Sequence, residues 1–428
     1  MRSASASRGS TPTPAISLPV LTPAPKPVPT PSASGASSLS PTGPTPTPTA
    51  TVRIVPPVAA AALPEAGTLV VRGDGGTLYR YEGLAGTLER LTGVSAWTPL
   101  QETSDGVYEM GLQGGVVYVP WHGPATIVPC GGGNAPSVSP IGACASVGSG
   151  PDGGGFARYP GESEPRRILL PDWRPQAVAW DPDSRRLALL RFTTDAFGYQ
   201  ARGHDALWML EVDGRLRKVY EPCCGSNGIG SMRWSPAGDV IALLLSSGCA
   251  GCDGEGGNPL ELIDPISGQR TVLGPTPGGT ADFSWSPSGA IAFVRGTMNK
   301  RSDATLIARW PDGAERELDT GGYAPTWDAL GERLAWARSD GTAVVLHLSS
   351  GERSSLTCAG GSIVGARFAT RGDGVLLLCR RADPILDIFD VFLSSGGRVV
   401  PVVTDLGGGF RYLPPDIRQL VAWHEGAP

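Results

Sequence analysis

Residues 232–245 read MRWSPAGDVIALLL and predict a β-hairpin whose first strand ends on Trp234. Pro236 sets φ for the turn that follows and cannot donate a backbone hydrogen bond to a neighbouring strand. Gly238 tolerates the positive φ that closing a tight turn requires. The second strand is apolar at nearly every position rather than at every other position. We therefore expect it to be buried on both faces.

The same pattern of an anchor residue, a turn with Pro or Gly and an apolar strand recurs along most of the chain. The eight anchors are Trp97, Val138, Trp180, Trp234, Trp285, Trp327, Phe368 and Tyr412. Their spacing ranges from 41 residues, between Trp97 and Val138, to 54 residues, between Trp180 and Trp234. A period of about 40–45 residues with four short strands per unit is typical of β-propellers, in which four-stranded sheets, or blades, surround a central axis. The sequence therefore predicts an all-β propeller.

The ends of the chain predict how the ring closes. A pair of strands near Leu78 and Leu88 precedes the first anchor, whereas no such pair follows Tyr412, the last. We therefore expect the N- and C-terminal strands to complete one shared blade, which would leave no open edge in the ring. There are nine candidate second strands, of which residues 69–72 and 420–424 compete for one place, and the blade between Val128 and Leu170 is Gly-rich and poorly patterned. The best count is therefore eight blades, and the second choice is seven.

The repeat resembles a known family at this level of detail. Trp234-Ser235-Pro236-Ala237-Gly238 and Trp285-Ser286-Pro287-Ser288-Gly289, each followed by an apolar strand, look like the TolB-type propeller repeat. The resemblance covers roughly residues 66–424 and implies the architecture but little about activity. The family usually has Asp where Ala237 and Ser288 stand, and only Asp183 keeps it. Relatives of the repeat serve as gating domains in prolyl-oligopeptidase-type enzymes, whose catalytic half this chain lacks.

Composition separates residues 1–65 from the propeller at 66–428. Between Thr11 and Ala50 there are 12 prolines, and no Asp or Glu occurs before Glu65. Such a segment buries too little apolar surface to offset its ordering entropy, so we expect a disordered, extended stalk or linker. The alternative is a dispensable low-complexity tail. A tether would hold the propeller near a membrane or cell wall.

Charge and hydropathy argue against nucleic acid as a partner and against a transmembrane helix. The net charge of −5 argues against nucleic acid as a partner, because no broad basic surface is available for a phosphate backbone. No apolar run approaches the roughly 20 residues of a transmembrane helix. The N-terminal residues do not read as a signal sequence, because prolines interrupt the segment after Arg8.

The eight cysteines predict disulfide bonds between neighbouring blades. Two follow the last strand of one blade, and two follow the second strand of the next. These are Cys223, Cys224, Cys249 and Cys252; Cys358 and Cys379 repeat the arrangement, and Cys130 and Cys144 form a third candidate pair. Disulfides would place the protein in an extracytoplasmic compartment, whether periplasmic, cell-surface or secreted. The alternatives are a four-thiolate zinc site at the first group or reduced, buried thiols.

Long loops between second and third strands are the candidate binding site. Three neighbouring blades would project them from one face of the ring, and functional residues favour loops on a rigid scaffold. The candidates are Phe197, Tyr199, Arg202 and His204 in the first loop, Asp253 in the second, and Asn299, Lys300 and Arg301 in the third.

Catalytic signals are weak, and we expect no cofactor and no metal. The four histidines form no metal-ligand motif, and no Gly-x-Ser-x-Gly nucleophile turn occurs. A concealed active site built from inward-facing carboxylates is an open alternative. The anchor tryptophans are expected to pack between blades rather than to stack on sugars. Trp121, Trp173, Trp208 and Trp310 fall outside the anchor position and are freer to contact a ligand.

The first functional hypothesis is a non-enzymatic, exported propeller that binds protein partners through its long-loop face. The second is a propeller that binds or cleaves glycan or cell wall, and the third is an accessory subunit of a separately encoded enzyme. Aromatic side chains and carboxylates at the mouth of the central channel would favour the second hypothesis. An apolar patch around Phe197 and Tyr199 would favour the first.

Overall fold

A computed structural model describes most of the predicted propeller. The described residues are 53–54, 67–72, 78–82, 87–91, 100–103, 105–110, 116–130, 134–147, 155–168, 175–191, 206–221, 229–245, 258–276, 283–296, 301–369, 374–381, 388–406, 417 and 421–425. The chain divides into Met1–Thr47 and Pro48–Pro428, and every described residue belongs to the second unit. Apart from 53–54, the predicted stalk therefore lies outside the described residues.

Strands make up nearly all of the regular structure in these ranges. The first part of the chain contains β1 (Arg53–Ile54), β2 (Gly67–Arg72), β3 (Leu78–Glu82), β4 (Thr87–Leu91), β5 (Gln101–Glu102), β6 (Gly106–Met110), β7 (Val116–Pro120), β8 (Thr126–Val128), β9 (Asn134–Val138), β10 (Cys144–Val147), β11 (Gly155–Arg158), β12 (Arg166–Ile168), β13 (Pro175–Trp180), β14 (Arg186–Arg191), β15 (Ala206–Glu211) and β16 (Leu216–Tyr220). The rest contains β17 (Ile229–Trp234), β18 (Ile241–Leu245), β19 (Asn258–Ile263), β20 (Arg270–Thr276), β21 (Phe283–Trp285), β22 (Ile291–Arg295), β23 (Thr305–Arg309), β24 (Glu315–Thr320), β25 (Gly322–Trp327), β26 (Arg333–Arg338), β27 (Ala343–His347), β28 (Arg353–Leu356), β29 (Gly361–Phe368), β30 (Val375–Arg381), β31 (Phe389–Ser395), β32 (Arg398–Leu406) and β33 (Val421–Glu425), with a 3-10 helix at Arg301–Asp303.

The described strands form eight antiparallel sheets, which we call blades 1 to 8. Blade 1 is β33-β2-β3-β4, and blades 2 to 7 are the consecutive groups β5–β8, β9–β12, β13–β16, β17–β20, β21–β24 and β25–β28. Blade 8 is β29–β32, with β1 as a fifth strand on its outer edge. The first strands of neighbouring blades contact one another, as β13 with β17 and β21 with β25, so the first strand of each blade lies nearest the axis.

One hydrophobic cluster fills each junction between neighbouring blades, and these clusters close the ring. Blades 1 and 2 share a cluster around Val70 and Val107, and each following pair shares one in turn. The last cluster joins blade 8 to blade 1 through Leu378 and Leu69. The described residues form eight sheets with eight junctions, and they confirm the predicted all-β propeller of four-stranded blades.

The second blade is the least regular of the eight sheets. Seven of the described sheets are built from four strands of three or more residues, whereas the first strand of blade 2 spans only Gln101–Glu102. A count that requires four full strands in every blade therefore stops at seven.

The apolar second strand of the hairpin is buried on both faces, as its composition predicts. Ile241 and Leu243 pack toward blade 4, and Ala242 and Leu244 pack toward blade 6. Successive side chains of a strand point to opposite faces, so each blade supplies apolar surface to both neighbours. Gly238 in the preceding turn has φ of +70°, the left-handed conformation that glycine adopts at little cost.

The two ends of the chain share blade 1, as predicted, but in a different order of strands. In β33 and β2, Ala422 pairs with Val70 and Trp423 pairs with Leu69. The prediction that residues 420–424 form a second strand after the Tyr412 anchor is therefore wrong, because β33 is the first strand of the blade and β2 is the second. Both segments are apolar, and only the pairing of distant strands distinguishes the two places. Tyr412 lies outside the described residues.

The anchor of blade 2 is Glu102 rather than Trp97. In blades 2 to 8 the backbone NH of the residue after the anchor donates to a carbonyl at or beside the start of the second strand, as Ser235 does to Val240. Thr103 makes this bond in blade 2. Trp97, which the sequence predicted as the anchor from its Trp-x-Pro match, lies outside the described residues, and the pairing with β6 is made by Gln101 and Glu102.

Candidate functional site

Most of the predicted binding loops lie outside the described residues. This holds for Phe197, Tyr199, Arg202, His204, Asp253, Asn299 and Lys300, so their role stays a prediction. Arg301 opens the 3-10 helix between the second and third strands of blade 6, which is the connection that the sequence predicted for it.

Two of the predicted disulfide bonds join neighbouring blades. Cys358, after the last strand of blade 7, pairs with Cys379 in the second strand of blade 8, with Cα atoms 6.3 Å apart. Cys130 pairs with Cys144 between blades 2 and 3, with Cα atoms 5.8 Å apart. The other four cysteines lie outside the described residues, so the zinc alternative for them is untested. No group of three or more potential metal ligands occurs among the residues that the structure describes.

A cavity of about 660 Å³ opens at one end of the ring, and we call it the channel mouth. Its walls are the ends of the first strands and the turns that lead into the second strands. Blades 2, 3, 5, 6, 7 and 8 contribute residues, which places the cavity at the axis. In an antiparallel blade this face also carries the turns between third and fourth strands. It is therefore the face opposite the predicted binding loops, and we call it the turn face.

The anchor tryptophans separate neighbouring blades, as predicted. The indole NH of Trp234 donates to the carbonyl of Ala179 in blade 4 at 2.9 Å. The indole NH of Trp327 donates to the carbonyl of Ser284 in blade 6 at 3.1 Å. Trp234 is buried, whereas Trp285 and Trp327 are half-buried and their exposed edges line the channel mouth.

Arginines cover ring faces of two anchors. In blade 4, Arg186 forms an ion pair with Asp181 at 2.9 Å, and its guanidinium lies over the Trp234 ring at 4.9 Å. In blade 7, Arg333 pairs with Asp328 at 2.9 Å and lies over the Phe368 ring of blade 8 at 4.8 Å. Such cation–π contacts leave less ring surface for a ligand.

A carboxylate occupies the anchor position of blade 2. Glu102 forms an ion pair with Arg367 of blade 8, and the two side chains are 12% and 19% exposed. The pair therefore links two blades that are not neighbours, with blade 1 between them. Because both residues line the channel mouth, this is a charged contact within the candidate site rather than at a blade junction.

A second arginine stands at the matching place in another blade. Arg233 and Arg367 each come immediately before an anchor, in blades 5 and 8, and both line the channel mouth. Arg233 donates to the carbonyl of Phe283 at 3.4 Å, and its guanidinium lies 5.2 Å from the centre of the Phe283 ring. Sequence analysis missed Glu102, Arg233, Asp328 and Arg367 as site residues. Aligning the repeats on the anchors shows the signal, because charge at the position before the anchor occurs only in these two described blades.

Large apolar side chains project from turns of the same face. They are Ile141 (58% exposed) and Leu330 (74%) in turns after first strands, and Val212 (51%) and Ile266 (77%) in turns after third strands. The Ile266 turn is held by Asp264, whose carboxylate accepts backbone NH groups of Ile266 at 2.7 Å and Ser267 at 3.0 Å. The bonds from Ser267 and Ile266 lower the pKa of Asp264, because they stabilise its charged form.

The tryptophans outside the anchor position are less available than predicted. Trp121 is buried in the cluster between blades 1 and 2. Trp208 and Trp310 are partly buried and pack against the clusters of two other junctions. Trp121 is therefore not available to a ligand, because its ring packs in the junction between two blades. Trp173 lies outside the described residues.

Comparisons with known proteins identify the architecture. No protein-family model matches the chain, and no curated protein does. Among solved structures, dihydro-heme d1 dehydrogenase NirN is similar at 13% identity and a TM-score of 0.54, over 81% of this chain and 75% of that one. Tricorn protease is similar at 12% identity and a TM-score of 0.47, over 77% of this chain but only 34% of that one. TolB from Acinetobacter baumannii is similar at 12% identity and a TM-score of 0.37, over 69% of this chain and 64% of that one. At this identity, the likeness to the dehydrogenase shows a shared fold and nothing about activity.

Proposed function

We propose that this protein is a non-enzymatic, extracytoplasmic scaffold that captures protein partners on the turn face. The observation that carries the proposal is the set of exposed apolar tips on the face where the channel mouth opens. Ile141 and Leu330 belong to the inner turns, and Val212 and Ile266 belong to the outer ones. Exposed apolar groups gathered on one face are typical of protein-binding surfaces.

The composition of the channel mouth supports the same function. Protein interfaces are enriched in aromatic residues and arginine at their centres and in polar groups at their rims. The mouth contains Trp285 and Trp327 together with Arg233 and Arg367. Its wall is built from six packed blades, so a partner would bind with little ordering of the propeller itself.

The disulfide bonds support a location outside the cytoplasm. Cys130–Cys144 and Cys358–Cys379 each join two blades, and disulfides persist in oxidising compartments. In the part of the chain that the structure describes, no helix has the length and apolarity to cross a bilayer.

Carbohydrate binding is the second candidate, because aromatic rings and carboxylates do meet at the channel mouth. Trp285 and Trp327 are half-buried there, and Glu102 and Asp328 contribute carboxylates. We rank it second because both carboxylates are held in ion pairs with arginines. A sugar-binding site needs carboxylates that accept hydrogen bonds from sugar hydroxyl groups. It also needs aromatic ring faces on which the sugar can stack.

The test compares partner capture by three variants of the full chain. Ile141→Asp combined with Leu330→Asp places charge on the turn face, and Ile127→Asp is the matched control, because Ile127 is 78% exposed on the outer strand of blade 2. Deletion of residues 197–204 tests the long-loop face. We expect the double variant to lose proteins that the parent chain captures, with an unchanged melting curve, and the control to keep them. Loss on loop deletion alone would move the site to the opposite face. Binding of isolated cell-wall polysaccharide without any protein partner would favour the carbohydrate candidate.

A further inference from the structure

Two arginines give the channel mouth groups that can bind carboxylates. Of the charged residues that line it, Arg233 and Arg367 are cations and Glu102 and Asp328 are anions. Arg333, bound to Asp328 at 2.9 Å, adds a third guanidinium beside the wall. The four charged lining residues therefore balance to a local charge of zero, in a protein whose net charge is −5. The mouth is therefore positive relative to the rest of the molecule, and this difference would attract and orient an anionic group.

The two arginines of the wall occupy one repeated position. In the blades with a described anchor, the residue before it is Gln101, Ser137, Ala179, Arg233, Ser284, Thr326 or Arg367. Blades 5 and 8 are three positions apart in the ring, so the two guanidiniums approach the cavity from different sides. An extended chain that crosses the mouth would meet both.

Glu102 shows that this cavity accommodates a carboxylate. Its side chain reaches Arg367 from a position that six other blades fill with an aromatic ring or a valine. Charge-assisted hydrogen bonds between guanidinium and carboxylate are among the stronger ones in proteins. A carboxylate from a partner would compete with Glu102 for Arg367, and Glu102 would therefore set the affinity of the site.

We infer that the channel mouth binds an extended acidic segment of a protein partner, whose Asp or Glu side chains take the guanidiniums of Arg233 and Arg367 while its apolar residues contact the turn tips. This inference rests on the proposed function and names the partner chemistry of that site. A peptide is favoured over an acidic sugar because Ile141 and Leu330 flank the mouth and would bury apolar side chains. The cavity of about 660 Å³ lies in the range of sites that hold several side chains.

The experiment measures binding of a synthetic peptide of alternating glutamate and leucine to the full chain by calorimetry. The comparison peptide replaces every glutamate by glutamine. Arg233→Gln removes one guanidinium of the site. Glu102→Gln removes the carboxylate that competes for Arg367 and keeps the shape of the side chain. Arg215→Gln is the control, because Arg215 lies on an outer turn of the same face. Melting curves show whether each variant folds.

We expect the acidic peptide to bind at least about tenfold more tightly than its glutamine counterpart, since hydrogen bonds to charged groups are worth that much. Arg233→Gln should lower the affinity about tenfold, Glu102→Gln should raise it, and Arg215→Gln should leave it unchanged. Equal affinity for the two peptides, or an affinity that does not rise in Glu102→Gln, would overturn the inference. So would binding of an oligouronate with no binding of the peptide.

Failure of this inference is separable from failure of the proposed function. Protein capture could be lost in the double variant of Ile141 and Leu330 but be unchanged in Arg233→Gln. The turn face would then bind partners by apolar contact, and the inference that the partner supplies an acidic segment would be wrong. If capture survives both changes, the turn face itself is wrong.

Discussion

The indole NH of Trp234 donates a 2.9 Å hydrogen bond to the carbonyl of Ala179, which joins the anchor of blade 5 to the residue before the anchor of blade 4. Trp327 makes the corresponding bond to Ser284 between blades 7 and 6, at 3.1 Å. Each of these anchors therefore combines apolar packing with a hydrogen bond at a junction, and both bonds cross from one repeat to the preceding one.

Replacing Trp234 by alanine should lower the free energy of unfolding by about 3–5 kcal/mol, because a large buried side chain leaves a cavity that its rigid neighbours fill only in part. Urea unfolding of the full chain measures the effect. Leu330→Ala is the control, because that side chain is 74% exposed and its removal should cost little. Equal losses in the two variants would contradict a packing role for Trp234.

Removing the disulfide between Cys358 and Cys379 with two serines should lower the free energy of unfolding by about 3 kcal/mol. The two cysteines are 21 residues apart, and the bond limits the freedom of the unfolded chain. Intact mass after alkylation checks the bond itself, since Cys358 and Cys379 should react with the reagent only after reduction. Alkylation of either thiol in the untreated native protein would contradict the pairing.

Placing a charge in the closing strand should open the ring at blade 1. Ala422 is fully buried between blades, so Ala422→Asp should lower the free energy of unfolding by about 3 kcal/mol or more through an unpaired buried charge. Ala237→Asp is the control, because Ala237 is exposed in a turn. A normal melting temperature for Ala422→Asp would show that β33 does not close the ring.

Alkaline pH should destabilise the junction between blades 4 and 5. Burial and the hydrogen bond to Glu261 raise the pKa of Tyr220 to about 12. A raised pKa means that the folded state holds the proton more tightly than the unfolded state, whose tyrosine ionises near its ordinary value of about 10. The stabilisation is therefore complete below about pH 10 and is lost as the pH rises to about 12. Tyrosinate absorbance during titration measures it, and Tyr220→Phe should remove part of the pH dependence. An unchanged profile in that variant would contradict the assignment.

The repeat pattern predicted the ring because blade packing is periodic. An anchor such as Trp285 and an apolar strand such as β22 do the same work in every blade, so their spacing alone indicates sheets around an axis. The disulfides followed from the same periodicity, because equivalent connections of adjacent blades emerge together. The repeat pattern did not predict the irregular units correctly. Glu102 stands where other blades have an aromatic anchor, and the sequence allowed either β33 or β2 as the second strand of blade 1.

Unlike the ring, the candidate site could not be predicted from the sequence. Glu102 and Arg367 are 265 residues apart in sequence and meet only because the ring brings blades 2 and 8 to the same cavity. The long loops were predicted to bind because loop length suggests function, whereas a short turn such as the one that carries Leu330 has no such signal in the sequence. Exposure and charge at the channel mouth depend on which side chains are covered by neighbouring blades.

The amino-acid sequence by itself determined that this protein is a propeller of repeated four-stranded units with its ends in one blade, because local apolar periodicity and turn chemistry recur in every unit. Tertiary structure alone decided which turns surround the axis, which anchor carries a carboxylate, and where the arginines gather. The physical reason is that a blade packs by local pattern, whereas a site at the axis is assembled from residues that only the closed ring brings together.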